Sequence, residues 1–302
     1  MNAKAKPIRS ALYVPGNKED WIRKAPQYGS DALILDLEDS VPEAEKPEAR
    51  VIVKKMLDEL GNDPNISQEL FVRVNRLETG MTGDDLEAVV CNNLYGILLP
   101  KVETPRDIIE IDTLLKLFER RASVLEGTVL VDPGLETAQA IRQSYEIATV
   151  SNRITHMGGS GGKGGDTSRS IGFQWTPEGM ETLFLKSKVL IDSRSAGVPY
   201  PMSGGWFDIH DLEGLEKLAI QLKQIGYTGM SLIHPYHVPI VNKVFTPSKE
   251  EIEHYKGLIE AMNKMREEGG AAVTYNGDMV DVAHEETAKA MIAMVEQWGI
   301  TY

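Results

Sequence analysis

The residues best suited to chemistry lie between Thr128 and Gly172, where two short apolar runs each lead to a carboxylate. Thr128–Asp132 breaks at Pro133 and Gly134 and delivers Glu136 ahead of a helical pattern over 136–148. Arg153–Met157 breaks into the glycine-rich run Gly158–Gly165, which ends at Asp166. If the two runs are neighbouring parallel strands, the loops after them open on one face and bring Glu136 and Asp166 together. Paired oxygens with open positions suit Mg²⁺, or another hard divalent cation, that also takes oxygens from a substrate. The competing reading makes Glu136 a helix cap and Asp166 a solvated loop acid.

Other strand ends carry charge as well. Asp36, Glu38 and Asp39 follow one apolar run, Arg73 closes another, and Lys101 and Glu103 follow a third; Asp132 and His234 add to the set. Buried like charges are costly unless a cation or a paired base offsets them. A divalent metal would balance this rim, with Glu136 and Asp166 as direct ligands and Glu38 and Asp39 holding metal-bound waters. Arg73 stands among Phe71, Val72 and Val74. Its fork suits a substrate carboxylate held bidentately, or a structural salt bridge to Glu38 or Asp39. The glycine run can cradle an anion on successive N–H groups or serve as a mobile loop tip. It is not a P-loop, because Gly164 rather than Ser or Thr follows Lys163. His156 and His234 read as hydrogen-bonded core or rim residues, and the His234–His237 spacing is too loose for a zinc site.

Positioning such groups on one rim requires regular elements, and the chain alternates them. Apolar runs at Ile8–Val14, Ala32–Leu37, Leu70–Val74, Tyr95–Leu99, Thr128–Asp132, Arg153–Met157, Val198–Met202 and Met230–Ile233 read as strands. The seventh is weak because it contains Pro199 and Pro201. Helical patterns separate them, and eight strand–helix alternations fit a (β/α)₈ TIM barrel. An open doubly wound sheet is disfavoured, since no Gly-x-Gly-x-x-Gly follows the first strand. Residues 1–246 read as the barrel and 247–302 as a C-terminal helical extension or lid. The extension opens with a Ser248–Glu251 capping box, carries Gly269-Gly270 as a hinge, runs extended over Ala271–Val282 and closes with a helix over His284–Trp298.

Composition narrows the partners. The chain has 302 residues, a formal net charge of −13 and one cysteine. That charge argues against non-specific nucleic-acid or anionic-membrane binding. Cys91 cannot form an internal disulfide and reads as a small buried hydrophobe, so a reducing, cytoplasmic location is expected. Met1–Ser10 has no apolar core behind it, and no stretch approaches the ~20 apolar residues of a membrane span.

The chain resembles the citrate lyase β-subunit family, with its malyl-CoA and citramalyl-CoA lyases, within the HpcH/HpaI aldolase group. The likeness is carried by Arg9–Gly16 (Arg-Ser-Ala-Leu-Tyr-Val-Pro-Gly), Asp36–Val41 (Asp-Leu-Glu-Asp-Ser-Val), Val72–Asn75 and Leu99–Glu103. Glu136–Ala138, Ile233–Pro235, Val241-Asn242, Phe245–Ser248 and Asn276–Asp281 continue it in order. The resemblance implies a (β/α)₈ barrel whose helical extension packs on a neighbouring subunit, in homotrimers or homohexamers. By position, Glu136 and Asp166 fall on the family's Mg²⁺ ligands, Arg73 on its substrate-carboxylate arginine, and Asp281 on a tail acid that acts as a base across the interface. Arg9, Lys101, Pro133 and Gly134 are expected to line the same mouth. The sequence departs from the family at the glycine-rich insertion before Asp166, at Ser170 in place of an acid, at Arg169, and at Asn276 in place of an aspartate.

The expected function is a Mg²⁺-dependent carbon–carbon lyase, of retro-aldol or Claisen type, working through a metal-stabilised enolate. Its substrate would be a short hydroxyacyl-CoA of malyl-CoA or citramalyl-CoA type, cleaved to an acyl-CoA and a small oxo acid. The alternatives are a thioester hydrolase, a CoA-independent aldolase on free acids, and a non-catalytic subunit of a lyase complex.

Overall fold

Runs such as Ala-Leu-Ile-Leu are apolar on both faces, so they stay dry only as parallel strands covered on both sides. A computed structural model describes residues 5–270 and 272–302. Its strands are β1 (Ser10–Pro15), β2 (Ala32–Asp36), β3 (Glu69–Arg73), β4 (Gly96–Leu99), β5 (Leu130–Pro133), β6 (Met202–Ser203) and β7 (Gly229–Leu232). They pair in the order β5-β4-β3-β2-β1-β7-β6, every pair parallel. All five residues of β2 are buried. The intervening helices lay apolar stripes against the outside of the sheet. Pro105–Arg121 buries Ile108, Ile111, Leu115 and Phe118, and opens with a Thr104–Asp107 capping box that satisfies its first amides.

The expected strand over 153–157 does not form a regular ladder. Instead, residues 153–159 run extended between the two open edges. Parallel bridges join Val131 to Ile154 and Leu135 to Gly159 on the β5 side. On the β6 side Tyr200 N donates to Thr155 O at 3.3 Å, and Ser203 Oγ donates to Gly159 O at 2.6 Å. This edge pairs sparsely because Pro199 and Pro201 have no N–H to offer. The segment completes a (β/α)₈ barrel in its eighth position.

Gly158 is required for that closure. A Cβ there would sit 1.6 Å from the Met202 carbonyl oxygen, so only glycine lets the two backbones approach.

One further expectation is corrected and another is refined. The helix over 136–148 is two helices, Ala138–Arg142 and Ser144–Thr149, broken at Gln143. There the Ser144 hydroxyl donates to Ile141 O at 2.9 Å and competes with the helical ladder. The stretch read as extended over Ala271–Val282 contains a hairpin, β8 (Val273–Tyr275) and β9 (Asp278–Val280). Its turn residues Asn276 and Gly277 both have positive φ, as a tight two-residue hairpin demands. Ala271, and Met1–Lys4 of the amino-terminal stretch, lie outside the described residues.

The chain divides into two compact units meeting at Phe245 and Thr246. The second holds the helices Lys249–Glu267 and Val282–Gln297 with the hairpin, around a small core of Leu258, Met262, Met265, Val280 and Ala288. Cys91 is a partly buried free thiol, and burial pushes its pKa up. Among the described residues no helix is long and apolar enough to cross a membrane.

Candidate active site at the carboxyl-terminal mouth of the barrel

One tier of the sheet sets the floor of the site. The register pairs Asp36 with Arg73, Arg73 with Leu98, and Leu98 with Asp132. Residues in register on parallel strands project to the same face. All four line a cavity of about 480 Å³ at the carboxyl-terminal ends of the strands. Pro133, Gly134, Glu136 and Asp166 line it above them.

Arg73 is committed first to Asp36. Its Nε donates to Oδ1 at 2.7 Å and its Nη2 to Oδ2 at 2.6 Å, while Nη1 lies 3.1 Å from Glu38 Oε2. Backbone amides of Glu38 and Ser40 also donate to the Asp36 carboxylate. Burial pushes this carboxyl upward, but the Arg73 hydrogen bonds and charge outweigh it and hold the pKa below the usual range. Of the two partners considered from sequence, Glu38 is close and Asp39 is not paired with Arg73. The main partner, Asp36, was read only as part of an acidic cluster. A guanidinium has five N–H donors, so some of the Arg73 edge facing the cavity remains for a ligand. The Tyr13 ring lies under the guanidinium, 5.0 Å from ring centroid to Cζ.

Lys101 gathers the acids of two other loops. Its Nζ is 2.8 Å from Glu38 Oε1, 3.2 Å from Asp39 Oδ2 and 3.8 Å from Asp166 Oδ2. Its backbone stands at φ 53°, a left-handed conformation that non-glycine residues rarely adopt, and one found where a side chain must be aimed. Asp166 opens the short helix Asp166–Ile171 directly after the glycine run and also pairs with Arg169.

Glu136 and Asp166, from the loops of β5 and of the closing segment, line the same cavity, near enough for each carboxyl to act on the other's charge. Burial first, then the Asp166 contact and the Glu38 charge, push Glu136 up to about 7. Two neighbouring carboxylates repel unless a proton or a cation lies between them. A hard divalent cation fits between them, because it neutralises both groups and takes them as oxygen ligands. Among the described residues no group of three or more His, Cys, Asp and Glu side chains forms a metal cage. A cation here would therefore take its other oxygens from water and substrate, as Mg²⁺ does.

Three sequence expectations find other positions. Arg9 is not at this mouth. It precedes β1 and binds Asp31, ahead of β2, through Nε at 2.9 Å and Nη2 at 2.6 Å, so it lies at the opposite end of the strands. Its expected role in lining substrate is corrected to a structural pair. Asp281 belongs to the second unit, where its carboxylate caps the helix Val282–Gln297 and bonds His284 Nδ1 at 2.7 Å. That bond holds its pKa low. His156 is fully buried between Thr155 Oγ1 and Lys6 O, both at 3.0 Å, as a core histidine. Trp206, Phe207, Ser160 and Ser231 also line the cavity, and the sequence reading did not single them out. An aromatic pair directly after Gly204-Gly205 at a strand end was the available signal.

The HpcH/HpaI aldolase/citrate lyase family model matches residues 9–235. Citrate lyase subunit beta of Leuconostoc mesenteroides subsp. cremoris is 32% identical over 90% of this chain and 88% of its own length. Human mitochondrial citramalyl-CoA lyase is 30% identical over 91% of this chain and 82% of its own. Among solved structures, the protein CitE from Mycobacterium tuberculosis, in complex with magnesium, acetoacetate and coenzyme A, superposes with a TM-score of 0.70. It is 25% identical, covering 97% of this chain and 98% of that one. With a barrel of this topology and the matching residues spread along it, the chain belongs to the HpcH/HpaI aldolase/citrate lyase family.

Proposed function

We propose that this chain is a Mg²⁺-dependent carbon–carbon lyase acting on a short hydroxyacyl-CoA of malyl-CoA or citramalyl-CoA type. The observation that carries the reading is the Glu136–Asp166 carboxyl pair, set beside Lys101 and Arg73 at the strand ends. Relatives that cleave citramalyl-CoA, or bind magnesium, acetoacetate and coenzyme A, support it.

Glu136 and Asp166 would hold the cation, with Glu38 and Asp39 orienting its waters. When bound, Mg²⁺ supplies Lewis-acid stabilisation of oxyanion charge. The remaining N–H groups of Arg73 pair with the carboxylate of the small acid, and Pro133 and Gly134 form the wall it lies against. Lys101 keeps positive charge beside the reacting oxygens, because Glu38 and Asp39 hold its ammonium protonated against the effect of burial. In cleavage, a base removes the hydroxyl proton and the resulting carbonyl forms as the carbon–carbon bond breaks. The electron pair passes to the thioester α-carbon, which is protonated to give the acyl-CoA. We assign the base to Asp281 of a neighbouring copy in a homotrimer or homohexamer, and residues 247–302 to the packing between copies; Asp281 is exposed. The cytoplasm is the proposed location, consistent with a single free thiol.

The test is an assay of malyl-CoA and citramalyl-CoA, with and without Mg²⁺, that measures oxo-acid release and free-CoA release separately. Equal oxo-acid and acyl-CoA production supports the lyase. Free CoA without oxo acid would identify a thioester hydrolase, cleavage of the free acids a CoA-independent aldolase, and no turnover a non-catalytic subunit.

A further inference from the structure

The helix Met180–Ser195, on the outside of the barrel, is apolar on two opposite faces. It buries Leu185, Val189 and Leu190 on its inner side. On its outer side Met180, Phe184 and Ile191 stand 69%, 78% and 64% exposed, with Ser187 half-buried between them. The helix Pro105–Arg121, by comparison, exposes the charged Arg106, Glu110 and Arg120. A helix that is apolar all round belongs in a buried setting, and a contiguous apolar stripe on a surface marks a contact.

The spacing along the stripe selects what covers it. Met180, Phe184, Ser187 and Ile191 recur at steps of four, three and four residues. At 3.6 residues per turn all four fall within an arc of about 60°. Such a seam takes another helix, whose side chains interlock with it as knobs in holes. It is also complementary to its own reversal. About a two-fold axis level with the Leu185–Lys186 peptide, Phe184 faces the small Ser187 of a second copy, and Met180 faces Ile191. A stripe of that kind specifies itself as partner, in the isologous contact of a two-fold pair. None of the four residues is charged, so two copies of a chain of net charge −13 meet there with little repulsion.

We propose that helix Met180–Ser195 is a two-fold interface between copies of this chain, packed antiparallel along Met180, Phe184, Ser187 and Ile191. The contact stands independently of the lyase reading. Combined with three-fold packing through residues 247–302 it gives six copies, and that number alone rests on the homo-oligomer proposed above.

The test is sedimentation of the full chain at micromolar concentration, wild type beside Phe184→Glu. Wild-type protein is expected as an even number of copies, and the variant at half that mass with unchanged circular dichroism. A wild-type dimer supports the contact and removes the three-fold packing, whereas a hexamer that falls to a trimer supports both. An odd number of wild-type copies, a monomer included, overturns the proposal, as does an unchanged mass in the variant. A second measurement leaves the apolar residues in place. Ser187→Cys, next to the axis, is expected to be joined into a covalent dimer by a short bismaleimide. Wild type, with only Cys91, and Asp20→Cys, exposed on the helix Glu19–Lys24, are expected to stay uncoupled. No coupling at position 187, or equal coupling at position 20, overturns the proposal.

Discussion

The Arg73 guanidinium grips Asp36 along two parallel hydrogen bonds of 2.7 and 2.6 Å, joining adjacent parallel strands at the floor of the cavity. The pair therefore serves the fold and the site together. Arg73→Ala would leave a buried, unpaired Asp36, at a cost of about 3–5 kcal/mol. Arg73→Lys keeps the charge but loses the fork. Urea unfolding should rank wild type above Arg73→Lys and Arg73→Ala lowest, with both variants weakened in oxo-acid binding.

Removing one of the two neighbouring acids Glu136 and Asp166 should separate metal binding from folding. Wild-type melting temperature is expected to rise with Mg²⁺, by the equivalent of about 2.7 kcal/mol at a hundred times the dissociation constant. Glu136→Gln should keep the apo melting temperature within a few degrees and lose both the Mg²⁺ response and turnover. A Mg²⁺ response that persists in this variant would move the metal elsewhere.

Acid should destabilise the barrel through a buried histidine. Lys6 O can only accept, so His156 Nε2 carries the hydrogen and Nδ1 accepts from Thr155 Oγ1. Burial, partly opposed by the Lys6 hydrogen bond, pushes its pKa from 6.5 to about 4. Between those values the unfolded chain binds the extra proton, so stability falls as pH falls from 6.5 towards 4. The full loss is about 3 kcal/mol at 1.36 kcal/mol per unit. Denaturant midpoints across this range should slope in wild type and flatten in His156→Gln.

Two glycines of one run should behave differently. Gly158→Ala forces a Cβ against the Met202 carbonyl and should lower the melting temperature sharply or abolish folding. At Gly165 the nearest atom would be 3.6 Å away, and the residue has ordinary negative φ as the N-cap of its helix. Gly165→Ala should cost no more than about 1 kcal/mol. Equal losses at the two positions would contradict the closure of the barrel by residues 153–159.

Local pattern determined much of this protein. Apolar runs ending in Pro-Gly, acids or a single arginine specify parallel strands with charged carboxyl-terminal ends, since these properties are local in the chain. Glu136, Asp166, Arg73 and Lys101 were identifiable for that reason, and the barrel follows from the count of alternations.

Other features depended on which chain segments lie side by side. Asp36, rather than Asp39, is the arginine's partner because β2 and β3 register Asp36 against Arg73. Arg9 fell at the wrong end because a residue at a strand's start and one at its finish look alike in a short motif. The glycines of 158–165 read from sequence as an anion cradle or a loop tip, and their packing role appears only when Met202, Gly205 and Phe207 are brought against them.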